Sequence, residues 1–126
     1  MLLFAIFLGA GLGGLSRYAL GSWIQAATGT QFPWGTLAIN VAGSLGLTFL
    51  YALLDSTMAR PKWRAFLEIG FLGGFTTFSA FTYEAIRLGQ DGEWARASLY
   101  VGGNVFVSLG TGVLGFRLAS ELLCRG

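Results

Sequence analysis

Few side chains in this 126-residue chain are equipped for chemistry, and the most telling of them lie inside apolar stretches. Asn40 stands one helical turn after Thr36 in a long uncharged run. Tyr100, Asn104 and Ser108 recur at i, i+4 and i+8, which on a helix aligns a phenol, an amide and a hydroxyl along one face. Residues 70–81 read GFLGGFTTFSAF, with three glycines, two threonines, a serine and four phenylalanines in twelve positions. Hydroxyl and amide groups donate and accept hydrogen bonds without carrying charge. A stripe of them facing lipid would be costly, so these groups face protein or water. Two roles remain open: hydrogen-bond glue between helices, or the wall of a conduction path.

Reactive chemistry has little to stand on. Histidine is absent, which excludes His-based metal sites and Ser-His triads. No P-loop lysine and no nucleotide-binding glycine fingerprint is present. Cys124 is the single cysteine, so no intrachain disulfide forms, and it reads as an incidental small apolar residue. The acids are Asp55, Glu68, Glu84, Asp91, Glu93 and Glu121, of which only Glu84 is expected at depth, spaced for a local pair with Arg87. Arg17 is the one cation in the first apolar stretch; it either snorkels to the interface or steers anions. A net charge of +2 gives no reason to expect nucleic acid as a partner, and nothing supports an enzyme.

The elements that must position these groups are membrane helices. Hydrophobic residues make up 54% of the chain and charged ones 11%, and residues 1–16 and 18–54 carry no charge. A span needs about 20 apolar residues, so 18–54 must turn, at the breakers between Gln25 and Gly35. The pattern predicts a single four-helix membrane domain over 1–126, with spans at about 2–23, 34–54, 63–88 and 94–123. The N-terminal stretch lacks a basic leader and a cleavage site, and reads as a retained span. Trp23, Trp34, Trp63 and Trp94 fall at predicted span ends, as interfacial aromatics do. The loops are DSTMARPK (55–62) and GQDGE (89–93). The basic residues divide five against three, a weak orientation bias that permits insertion both ways. Gly9/Gly13, Ala42/Gly46, Gly70/Gly74 and Ser108/Gly112 form small-xxx-small pairs that allow close helix contact. Four helices enclose little room for a pore, so an oligomer is expected. Phe75, Phe78 and Phe81 form a phenyl stripe at spacing three, and Gly73-Gly74 with Thr76-Thr77 weaken the helix beside it. A broken membrane helix is tolerated where its backbone is buried or lines water, and its ends bind ions.

The run Gly73-Gly74-Phe75-Thr76-Thr77-Phe78-Ser79-Ala80-Phe81, with Gly35-Thr36-Leu37-Ala38-Ile39-Asn40 upstream, resembles the Fluc (CrcB) family of bacterial fluoride channels. The family patterns are GGxTTFSTF and GTLxVN, and the likeness extends over the whole chain. Two positions depart: Ala80 replaces a threonine, and Asn104 stands where members often carry serine. The resemblance implies an all-α fold with a third helix broken at mid-membrane, in an inverted, dual-topology homodimer with two narrow pores. It implies that Phe78 and Phe81 line the pores, with Thr77 and Ser79 of the same run, and that Asn40 coordinates fluoride. Tyr100, Asn104 and Ser108 become a polar track. A structural sodium ion is expected at the dimer centre, on the backbone carbonyls of Gly73 and Thr76. The implied function is passive export of fluoride across the bacterial inner membrane. Small multidrug exporters match in size but need a carboxylate in the first span, where residues 2–20 have none. A scaffold would not need a Thr/Gly-rich break.

Overall fold

The computed structural model describes residues 1–126. It is all-helical, with four runs long and apolar enough to cross a membrane: Leu2–Thr28, Trp34–Ser56, Pro61–Gln90 and Trp94–Arg125. The chain is a multi-pass membrane protein. The first span continues five residues beyond the expected end, because its stop is Gly29, in the left-handed conformation (φ 61°). Gln25 then organises the loop that follows. Its Nε2 donates to the carbonyls of Thr30 (2.8 Å) and Phe32 (3.0 Å), and its Oε1 accepts from the Gly35 N–H (3.1 Å). The third span opens on Pro61, where a missing N–H costs nothing.

Helix pairing alternates. The first span packs mainly on the third, and the second mainly on the fourth. Glycine makes the first pairing possible. A Cβ placed on Gly70 would stand 2.8 Å from the Ile6 carbonyl and 2.9 Å from Gly9 Cα, and one on Gly9 would stand 2.9 Å from the Phe71 nitrogen. The pairs Gly9/Gly13 and Gly70/Gly74 thus face one another within one chain, backbone against backbone. In the second pairing, Thr111 Oγ1 donates to the Val41 carbonyl at 3.1 Å.

Two stretches, Ala65–Leu72 and Gly103–Val107, are wound as wider π-helical turns. The first carries Glu68, which is only 9% exposed. Glu84 is therefore not the only carboxylate inside a span. Arg64, one turn earlier, sets its charge 3.5 Å from Glu68 Oε1, which is buried without a hydrogen bond. Arg64 also bonds Asp55 at 3.2 Å and sits 5.3 Å from the centre of the Tyr51 ring, tying the second span to the third.

Candidate functional site

The third span leaves helical geometry at two residues, Thr76 (φ −80°, ψ 156°) and Thr77 (φ −147°, ψ 121°), between Gly73–Phe75 and Phe78–Gln90. Gly73 and Gly74 remain helical, so the irregularity falls two residues later than their composition suggests. Gly74 serves close packing instead: a Cβ there would press on Ala10 of the first span. Threonine suits the extended conformation because its branched Cβ is at ease there.

Asn40 of the second span clasps this irregular backbone from both sides. Its Oδ1 accepts from the Thr77 N–H at 2.9 Å, and its Nδ2 donates to the Thr77 carbonyl at 3.0 Å. Thr77 Oγ1 caps the following helix by accepting from the Ala80 N–H at 3.2 Å. In a regular helix the Thr77 and Ala80 N–H groups would bond the carbonyls of Gly73 and Thr76. Here both are engaged elsewhere, so those two carbonyls lose their ordinary partners.

The fourth span closes the site. Asn104, 7% exposed, accepts from Asn40 Nδ2 at 2.9 Å and donates to the Tyr100 carbonyl at 3.0 Å. Tyr100 is fully buried, and its hydroxyl donates to Glu84. Glu84 also accepts from Thr36 Oγ1 at 2.9 Å. The expected local pair of Glu84 with Arg87 does not form; Arg87 lies 3.8 Å from Asp91 and donates to the Tyr83 hydroxyl at 3.4 Å. Glu84 points inward because two hydroxyls from other spans converge on it. Ser108 Oγ is buried without a partner in the chain, and Ser79 Oγ lies 3.4 Å from Thr77 Oγ1.

The phenyl stripe is split by the irregular residues. Phe75 stacks on Phe71, with rings 9° from parallel and 6.1 Å apart. Phe78 and Phe81 pair with each other at 5.2 Å, and Phe81 meets the Tyr100 ring at 5.6 Å. Phe81 is buried in the chain, whereas Phe78 is 77% exposed. An open groove of about 800 Å³ runs from the span ends to Thr77, lined by Arg17, Gln25, Thr36 and Glu84 among others. Arg17 is half-buried there. The site thus offers neutral N–H and O–H groups, phenyl edges, one arginine and the Glu84 carboxylate, which two hydroxyls hold. No three His, Cys, Asp or Glu side chains gather as a metal site.

A family model described as CrcB-like protein, Camphor Resistance (CrcB), matches residues 4–116. A protein of Thermus thermophilus named fluoride-specific ion channel FluC is 44% identical over 120 residues, covering 94% of this chain and 93% of its own. Proteins of the same name from Acidobacterium capsulatum (44%, 94% of this chain, 95% of its own) and Geobacter metallireducens (44%, 94% and 96%) are similarly close. The matched residues include both threonines of the irregular backbone, the amide that clasps them and the paired phenylalanines. The chain belongs to the CrcB-like protein family.

Proposed function

We propose that this protein is a fluoride-selective channel that lets fluoride leave the cell passively across the bacterial inner membrane. The observation that carries this reading is the Asn40 amide seated on the Thr77 backbone and bonded to a second amide, Asn104, one turn after the Tyr100 whose ring meets Phe81. Fluoride is small and strongly hydrated, so a route must replace its water with donors, and neutral amides and hydroxyls do so without trapping the ion. Phenyl edges are partially positive and face an anion favourably. The name borne by the relatives, fluoride-specific ion channel, agrees with this chemistry.

The working unit is an inverted homodimer. Phe78 is 77% exposed, and a single chain leaves the groove open, so a second copy is needed to complete a pore wall. The carbonyls of Gly73 and Thr76 fit a hard cation with oxygen ligands, because both have lost their helical partners and Gly73 has no side chain to shield its own. Two inverted copies would supply four such oxygens to one sodium ion. Sodium held by these carbonyls would supply a fixed positive charge between the two copies.

Liposomes holding only the purified protein test the reading. Fluoride efflux is expected with no matching chloride efflux. Equal flux of both ions, or of neither, would overturn it.

A further inference from the structure

The chain holds only two asparagines, Asn40 and Asn104, and they bond each other at 2.9 Å. Their orientations follow from fixed backbone neighbours. Asn40 Oδ1 faces the Thr77 N–H, so its Nδ2 faces the Thr77 carbonyl. Asn104 Nδ2 faces the Tyr100 carbonyl, which turns its Oδ1 toward Asn40.

An amide NH₂ has two hydrogens to give. Asn40 gives one to the Thr77 carbonyl and the other to Asn104 Oδ1, so it has none left for an anion. One bond must open before Asn40 can bind fluoride. The Thr77 bond is half of a two-point clasp, and opening it would bare a backbone carbonyl at an irregular turn. The Asn104 bond is a single contact between side chains. It is the one that yields.

We infer that Asn104 is an exchangeable placeholder that occupies the Asn40 N–H in the empty channel and gives it up to fluoride, and so sets the permeation rate. The inference rests on the fluoride-channel reading and goes beyond it. Only one hydrogen of Asn104 Nδ2 is taken, by the Tyr100 carbonyl. When Asn104 Oδ1 is displaced, the anion satisfies Asn40, while Asn104 stays anchored on its own helix. Each passage therefore competes with one neutral hydrogen bond.

Asn104→Ser and Asn104→Ala both remove the competing amide oxygen; the alanine variant also rules out a serine hydroxyl that takes its place. Fluoride efflux should rise about three- to tenfold, which is one neutral hydrogen bond of about 0.7–1.4 kcal/mol. Unchanged or reduced flux in both variants, with the assembly intact, would overturn the inference. A second measurement does not depend on flux. Side-chain amide ¹⁵N spectra of the full chain in micelles contain just two asparagine NH₂ groups, assigned with Asn104→Ser. Added fluoride, and not chloride, should move both in the wild type. Movement of Asn40 alone would overturn the exchange and leave the fluoride site standing. Movement of neither would overturn both.

Discussion

Asn40 works as two things at once, a clasp on irregular backbone and a donor toward its neighbours, and a substitution has to be judged on both. Asn40→Asp keeps the acceptor for the Thr77 N–H but loses both donors, setting a carboxylate against the Thr77 carbonyl and Asn104 Oδ1. The unpaired buried groups should cost about 2–4 kcal/mol of stability. Fluoride efflux should fall at least about a hundredfold, or about 2.7 kcal/mol of barrier. Phe81→Ile keeps a buried apolar side chain but removes the ring edge that meets Phe78 and Tyr100. Its flux should fall about tenfold while the proposed dimer stays intact on size-exclusion chromatography. Wild-type flux in both variants would remove these two residues from the route. Asn40 is legible in the sequence because a lone amide within the second span needs a partner. Its partners are not, since Thr77 and Asn104 lie 37 and 64 positions away. Glu84 misled for the same reason: spacing reports Arg87 on its own helix, and says nothing of hydroxyls arriving from Thr36 and Tyr100.

At the scale of elements, the third span has two unlike faces, and its glycines divide between them. Gly70 and Gly74 are jammed against the first span, whereas a Cβ on Gly73 would meet only the Glu68 carbonyl, at 3.8 Å. Gly70→Val should therefore lower the melting temperature, since forced overpacking costs about 1–3 kcal/mol. Gly11→Ala, on a face of the first span with nothing within 4 Å, should leave it unchanged. Thermal scans on the two purified variants check this contrast. Gly73→Val is the more informative change. Within one chain a Cβ there has room, so damage from the change is expected where copies meet or where the proposed sodium binds. Thr76→Ser keeps the hydroxyl that donates to the Leu72 carbonyl and should retain the ion. Fluoride flux should depend on sodium in wild type and in Thr76→Ser, and be lost in Gly73→Val. Flux indifferent to sodium removal in wild type would sink the cation site. The four spans themselves were legible from hydropathy, because charge-free length has few other uses. Their ends were less so: Pro61 marks the start of the third within two residues, but the first runs on to Gly29, five residues past its expected end. The π-helical turns and buried Glu68 were not: both depend on what the neighbouring helices leave unfilled.

For the whole molecule, the proposed pairing of two copies in opposite orientations is permitted by the weak division of basic residues, and it would give the exposed Phe78 a surface to meet. Cysteine labelling checks it once the exposed Cys124 is replaced by serine. A single cysteine at Gln31, in the loop after the first span, should react with impermeant reagent from both sides of the membrane. Reaction from one side only would rule out inversion. The alternating pairing of spans, first with third and second with fourth, has a consequence for synthesis. The helices that cover the first two spans are made about sixty residues after them, so the leading hairpin enters the bilayer without its partners. Until the third span emerges, the glycine face of the first has only lipid against it. A nascent chain stalled after Ser56 would hold two helices joined by the Gln25 bonds to Phe32 and Gly35 and by the close approach of Gly35 to Gly21, with their other faces uncovered. The protein completes its packing only as its last helix is released.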